Sequence, residues 1–245
     1  MGKTATALTL AAGLEKRGYK TLLIDSDPQC NATFASGIDP AGDHRTLYDL
    51  YERACSASDV LLDTEAGYKL IPGSLRLTTA DLKYSGTLNR EYILRKALKS
   101  IDKLFDYAVI DTPPQIGLLV ENALVITDKL IIPATADAFS IQGLLQYSEL
   151  LGELKNAFED NLHFEVAGIL LTRYSDRTNI SRTLSDSLYE IAEHLHTKVF
   201  TTRIREAVAV RESSLARQNI FTSHPTAAVT KDYDNFINEF LEGGS

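Results

Sequence analysis

The stretch MGKTATALTLAAGLEKRGYKTLLIDSDPQCNAT, residues 1–33, carries the pattern that decides the fold. Its first half has apolar residues at helical spacing over residues 3–17, and Gly18 is a typical stop for a helix. Its second half contains TLLID at residues 21–25, a short unbroken apolar run that ends in an acid, as buried parallel strands do. The stretch therefore predicts a helix followed by a strand of a parallel sheet.

Strands and helices alternate through the rest of the chain. Apolar runs predict further strands at 68–72, 107–111, 129–133, 164–174 and 198–200, and helical spacing predicts helices at 91–104, 118–126, 141–158, 179–195 and 229–241. Residues 26–45 are rich in Gly, Pro, Asp and Asn, which indicates a loop. The alternation predicts the α/β class, with a doubly wound, mostly parallel sheet and helices on both faces. Without a linker or an internal repeat, we expect residues 1–245 to form a single domain.

Composition narrows the class of protein. A chain of 245 residues that is 44% hydrophobic can bury one large core, and a net charge of −8 argues against a nucleic-acid-binding protein that is basic all over. The cysteines Cys30 and Cys55 have no C-x-x-C spacing, which favours a reducing compartment. Because the chain has neither a signal sequence nor an apolar run of about 18 residues, we expect a cytoplasmic protein that does not bind membranes.

Gly2-Lys3-Thr4 matches the second half of G-x-x-x-x-G-K-[ST], the loop that wraps phosphates. In that loop the lysine contacts the β- and γ-oxygens, the hydroxyl binds Mg²⁺, and the N-terminus of the following helix supplies N–H groups. A short polar N-terminus would contain the same three residues. The tripeptide alone leaves both interpretations open.

Acidic residues close two of the predicted strands. Asp111 ends YAVID, where a P-loop enzyme holds Mg²⁺, although an acid there can also cap the next turn. Asp25 and Asp27 end and follow TLLID, where a carboxylate can position or deprotonate an attacking water, although D-x-D-P also starts turns. Ligands of parallel sheets bind beyond the carboxyl ends of the strands. The three acids therefore predict one site.

Residues 1–33 resemble the deviant Walker A region of the ParA/Soj family of chromosome- and plasmid-partitioning ATPases, whose pattern is KGGVGKTTT, a helix and then LLIDxDPQGNAT. DYAVIDTPPQIGLLVENAL resembles the Walker B region of that family. LIIPATADAFSIQGL, LLTRYSDRTNISRTL and IREAVAVRESS resemble its later segments. The similarity runs in order through residues 1–240.

The resemblance implies a P-loop ATPase that uses ATP and Mg²⁺. It assigns Lys3 and Asp27 to catalysis. Nucleotide binding and metal binding are assigned to two overlapping sets, which are Gly2, Lys3, Thr4 and Ala5 for the nucleotide and Thr4, Asp25 and Asp111 for the metal.

Two positions depart from the family pattern. Cys30 stands where the family usually has glycine, and a residue with a side chain stiffens the loop. Met1 aligns with the valine of KGGVGKT, so the signature lysine of the family would lie upstream of residue 1. We therefore expect an N-terminally truncated chain, in which the first strand and half of the P-loop are missing.

The resemblance also implies an ATP-dependent homodimer, a ParB-like centromere-binding partner, nonspecific DNA binding and association with the nucleoid. Residues 173–217 contain eight basic residues, seven of them arginines, among six acidic ones. Arg177, Arg205 and Arg211 match the segments in which the family binds DNA. The interspersed acids fit an ordinary salt-bridged surface equally well.

Two alternative functions stay open. A non-hydrolysing DNA-binding or adaptor protein could have the same fold, because the signature lysine would lie outside the chain. A MinD-like positioning ATPase is the other alternative, and it needs a basic amphipathic helix that binds membranes. The acidic C-terminal sequence DYDNFINEFLEGGS argues against this second alternative.

Overall fold

The computed structural model describes residues 2–135, 137–158, 162–174 and 182–243. The chain divides into two compact units. The larger unit comprises Thr4–Ile126 and Ala209–Pro225. The smaller unit comprises the described residues of Met1–Lys3, Thr127–Val208 and Thr226–Ser245.

The larger unit is built on a four-stranded sheet. Its strands are β1 (Thr21–Asp25), β2 (Leu62–Asp63), β3 (Lys69–Ile71) and β4 (Tyr107–Asp111), in the order β2-β3-β1-β4. β1 runs parallel to both β3 and β4, whereas the short β2 runs antiparallel to β3. The sequence predicted the bounds of β1 and β4 correctly, because each is a continuous apolar run that ends in an acid.

Helices cover both faces of this sheet. The helices of the larger unit are α1 (Lys3–Glu15), α2 (Asn31–Ala35), α3 (Leu47–Tyr51), α4 (Ala80–Lys83), α5 (Ile93–Leu98), α6 (Leu118–Val125), α9 (Val208–Leu215) and α10 (Ile220–Ser223). α1 and α2 pack around Leu23 and Leu70 on one face. α3, α5 and α6 pack around Leu22 and Ile24 on the other. Since successive side chains of a strand point to opposite faces, β1 contributes to both clusters, and the doubly wound α/β prediction is confirmed.

The smaller unit contains a parallel pair of strands. These are β5 (Lys129–Thr135) and β6 (Glu165–Thr172), and the helices are α7 (Ala138–Ala157), α8 (Arg182–His194) and α11 (Ala228–Glu242). The register shifts by one residue beside Gly168, where a Cβ atom would lie 2.5 Å from the ring of Phe200. No helix of the described ranges is long and apolar enough to cross a membrane.

Three local predictions were wrong. The loop predicted at 26–45 contains α2, which at five residues is too short to show helical periodicity. The helix predicted at 91–104 is reduced to α5, because buried Ile101 continues the apolar spacing into a turn beyond the helix. The strand predicted at 198–200 is a single bridge between Val199 and Ile169.

Candidate functional site

The carboxyl edge of β1 and β4 brings two predicted site residues together. Asp25 and Asp111 pair in register, and the N–H of Ser26 donates to the carbonyl oxygen of Asp111 at 2.8 Å. Strand alternation places Asp25 on the same face as Leu23, which is the face that α1 covers. Both carboxyl groups are buried, with Asp25 0% and Asp111 2% exposed. The edge therefore places two buried carboxyl groups side by side.

The Asp25 carboxylate is held by neutral donors. Its Oδ2 accepts hydrogen bonds from the N–H of Thr33 at 2.7 Å and from the Thr33 hydroxyl at 2.6 Å, and its Oδ1 accepts from the N–H of Asp27 at 3.2 Å. Burial raises the pKa of Asp25 to about 6, although these hydrogen bonds lower it in part. Among the described residues, no Lys, Arg or His side chain pairs with Asp25. A buried carboxylate without a cationic partner favours a bound cation.

Asp27 lies in a tight turn just beyond β1. Its Oδ1 accepts from the N–H of Gln29 at 2.9 Å, and its carbonyl oxygen accepts from the N–H of Cys30 at 2.9 Å. The side chain is 9% exposed, and no hydrogen bond to its Oδ2 is formed within the described ranges. Asp27 therefore has an acceptor oxygen available for a ligand or a water molecule.

Cys30 directly precedes α2 in the left-handed region, with φ 55°. Burial raises the pKa of its thiol to about 12, and the charges of Asp25 and Asp27 add to this effect. The thiol is therefore protonated at neutral pH and is a poor nucleophile.

Sequence reasoning missed Ser26, Thr33 and Gly73 as site residues. The Ser26 hydroxyl is fully buried and makes no hydrogen bond to any described residue. Thr33 donates two hydrogen bonds to Asp25, and the N–H of Gly73 donates to the Thr33 hydroxyl. In the sequence, only N-A-T at residues 31–33 pointed to Thr33. Nothing in the sequence placed Gly73 beside Thr33 and Asp25, which are distant from it along the chain.

The donors at this edge are suited to magnesium. Carboxylate and hydroxyl oxygens are the hard ligands that Mg²⁺ prefers, and Mg²⁺ usually takes its other ligands from water and phosphate. In the part of the chain that the structure describes, no group of three His, Cys, Asp or Glu side chains could hold a metal by itself. The edge fits an ion that is shared with a phosphate-containing ligand.

The N-terminal tetrapeptide is divided between the two units. Gly2 lies against Thr172, and a Cβ atom at position 2 would be 3.2 Å from the Thr172 hydroxyl. Lys3 begins α1, and Thr4 and Ala5, both partly buried, belong to the larger unit. The first N–H groups of any helix have no partner inside the helix, so the N-terminus of α1 can accept an anion.

The three arginines predicted to bind DNA differ in their surroundings. Arg177 lies outside the described residues. Arg205 binds buried Asp232 through both Nε at 2.6 Å and Nη2 at 2.9 Å, which occupies most of its guanidinium. Arg211 is exposed on α9 and pairs with none of the described residues. Of the two described arginines, Arg211 is the better placed to reach a phosphate.

Comparison with known proteins gives a consistent result. A family model described as an AAA domain matches residues 1–164. The sporulation initiation inhibitor protein Soj of Bacillus subtilis is 30% identical over 245 residues, which is 100% of this chain and 95% of that protein. The chromosome partitioning protein ParA of Myxococcus xanthus is 33% identical over 213 residues, or 86% of this chain and 74% of that protein.

The fold is also shared with a solved structure. Cobyrinic acid a,c-diamide synthase from Mycobacterium smegmatis, with bound ADP and magnesium, superposes with a TM-score of 0.82 and is 25% identical, covering 98% of this chain and 89% of that one. The family match and the two relatives agree with the motifs at both strand ends. This chain belongs to the ParA/Soj family of P-loop partitioning ATPases.

Proposed function

We propose that this chain binds ATP with Mg²⁺ and hydrolyses it to ADP and phosphate. The observation that carries the proposal is the buried carboxylate edge, where Asp25 and Asp111 meet in register on the face that α1 covers. The ADP and magnesium bound to the structurally similar mycobacterial synthase support the same ligands here. Mg²⁺ would neutralise the phosphate charge that develops during transfer.

Each residue of the proposed site has a separate task. Lys3 and the N–H groups of Gly2 and Ala5 bind the phosphates, and the Thr4 hydroxyl binds the metal. Asp25 and Asp111 hold the metal, Asp111 through water. Asp27 positions the attacking water with its available Oδ2 and accepts a proton from it. We include both compact units in one ATPase domain.

The biological role that we propose is the partitioning of a chromosome, a plasmid or an integrated element. ATP would drive homodimer formation, the dimer would bind DNA nonspecifically on the nucleoid in the cytoplasm, and a ParB-like partner would stimulate hydrolysis. The Myxococcus xanthus relative supports this role, because it is named as a chromosome partitioning protein.

Phosphate release from ATP tests the enzymatic proposal. The purified chain should release phosphate with Mg²⁺ and stop when EDTA is added. Asp27→Ala should lower turnover by about 10²- to 10⁴-fold, the usual contribution of a general base, while ATP binding persists. Unchanged turnover in Asp27→Ala would contradict the assignment.

DNA binding is tested most cleanly at Arg211. Arg211→Glu should weaken binding to random-sequence DNA in the presence of ATP and flatten the log–log salt dependence by about 0.9 for each phosphate that the protein no longer neutralises. Arg95→Glu on α5, another exposed arginine, is the matched control. Arg205→Glu is unsuitable, since it would place a second acid against buried Asp232. If Arg211→Glu binds as tightly as the control, α9 does not contact DNA.

A further inference from the structure

We propose that Thr33 is the positioning residue of this site, because its side chain holds Asp25, α2 and the chain that leaves β3 together. The inference rests on the proposed ATPase function for its catalytic consequence. Its structural content is a hydrogen-bonded relay from Gly73 through Thr33 to Asp25, here called the Thr33 relay. None of the motifs in the sequence assigns this role.

The Thr33 relay distinguishes the two oxygens of Asp25. Oδ2 receives both donors of Thr33, at 2.6 and 2.7 Å, and these bonds use its two lone pairs. Oδ1 receives one longer hydrogen bond from the N–H of Asp27, at 3.2 Å. Oδ2 is therefore the anchored oxygen. Oδ1 retains an acceptor position for a metal ion or its bound water.

Gly73 fixes the direction of the relay. Its N–H donates to the Thr33 hydroxyl at 2.8 Å, so the hydroxyl must give its own proton to Asp25. Thr33 is 0% exposed, which means that bulk water cannot replace either bond. An N–H that lost this acceptor would be buried without a partner, at a large energetic cost.

The close approach of Gly73 is a second part of the arrangement. A Cβ atom at position 73 would lie 3.0 Å from the carboxyl carbon of Asp25 and 3.1 Å from its carbonyl oxygen. A side chain at this position would require Asp25 to shift by a few tenths of an ångström. Glycine therefore lets the chain after β3 approach the carboxylate without displacing it.

The relay also controls the Asp27 turn. Thr33 belongs to α2, and α2 begins directly after the turn that Asp27 and Cys30 close. The Thr33 side chain thus holds Asp25, which we propose binds the metal. It also fixes α2, the helix at the end of the turn that contains Asp27, which we propose binds the water. Loss of the hydroxyl should disturb catalysis more than nucleotide affinity, because the residues proposed to bind the phosphates lie at the N-terminus of α1 and not on α2.

Steady-state kinetics with Thr33→Val and Thr33→Ser test the inference. Valine keeps the shape and removes the hydroxyl, so kcat should fall by about tenfold or more, which corresponds to the loss of about one hydrogen bond, while the dissociation constant for ATP stays close to that of the wild type. Serine keeps the hydroxyl and should restore kcat. Thr21→Val, which removes a buried hydroxyl at the opposite end of β1, is the matched control and should behave as wild type.

Gly73→Ala is an independent variant in which Thr33 is intact, and it should lower kcat in the same way. Wild-type kcat in Thr33→Val or in Gly73→Ala would overturn the inference, and so would a Thr33→Ser variant as impaired as Thr33→Val.

Amide hydrogen exchange separates this inference from the proposed function. The N–H of Gly73 should be protected in the wild type and in Thr33→Ser and should exchange faster in Thr33→Val. If the wild type shows no ATP turnover, the proposed function fails, and exchange alone then decides whether the relay exists. Equal protection of the Gly73 N–H in Thr33→Val and the wild type would overturn the inference, whether or not the wild type hydrolyses ATP.

Discussion

Cys30 shows how one residue of the proposed hydrolytic loop is constrained. Its backbone has φ 55° and ψ 29°, a left-handed conformation that favours glycine, and its side chain is 4% exposed. Glycine, the usual residue of the family here, adopts this conformation without strain. The stiffening expected from the sequence therefore has a structural cause, a side chain held in a conformation that side chains disfavour.

Substitutions at Cys30 should separate backbone strain from side-chain burial. Cys30→Gly relieves strain but loses burial, so the free energy of unfolding should change by less than about 1 kcal/mol. Cys30→Val places a β-branched residue at positive φ and should lower that free energy by about 2 kcal/mol or more. Urea unfolding of both variants measures the difference. Equal stability of the two would show that the turn does not require this conformation.

At the level of single residues, the sequence predicted the acids better than the groups that hold them. Asp25, Asp27 and Asp111 could be located because each ends or follows a recognisable strand. Only N-A-T pointed to Thr33, and nothing pointed to Gly73, because an apolar pattern contains no information about the hydrogen bond that joins Gly73 to Thr33 across 40 residues. The functions of the three acids stay predictions.

Among the helices, the pattern of apolar residues decided success more than length did, since α6 and α9 both have eight residues and only α6 was predicted. The bounds of α6 and α11 were predicted to within one residue at each end, because their apolar spacing covers the whole helix. No sequence pattern indicated α2, α3, α4 and α10, which have four or five residues each and depend on local turns and tertiary packing.

Helix α11 is tied to the rest of the smaller unit by Glu239. Its carboxylate accepts hydrogen bonds from the N–H groups of Thr201 at 2.7 Å and Thr202 at 2.9 Å. Burial by itself would raise the pKa of Glu239, but these hydrogen bonds outweigh it and hold the pKa below its usual value of 4.5. A lowered pKa in the folded state stabilises the fold above pH 4.5 and stops doing so as the pH falls through the folded value.

Glu239→Gln should therefore lower the free energy of unfolding by about 1 kcal/mol at about pH 7. The difference from wild type should shrink below pH 4.5, where the wild-type carboxyl becomes protonated and loses its advantage. Glu242→Gln, at the exposed end of the same helix, is the control. Urea unfolding at neutral pH and below pH 4.5 measures both variants. A difference of equal size under the two conditions would contradict the role of the charged carboxylate.

For the molecule as a whole, the net charge limits how the chain could bind DNA. A net charge of −8 disfavours general attraction to DNA, so any DNA binding has to use a local cluster of cations. Arg205 is already bound to Asp232. Fewer arginines are therefore available to contact DNA than the sequence indicated. The class of fold was predictable from alternating strands and helices, whereas the engagement of individual arginines was not.

Calorimetric titration of the whole chain with ATP asks directly whether the edge formed by Asp25 and Asp111 binds ATP with Mg²⁺. We expect binding that requires Mg²⁺ and that Asp111→Asn weakens at least about tenfold, since charge-assisted contacts are the strong ones. Asp106→Asn, the same substitution at the exposed amino end of β4, should bind as the wild type does. Absence of binding with Mg²⁺, or equal affinity of Asp111→Asn and the wild type, would contradict the assignment of this edge as the nucleotide site.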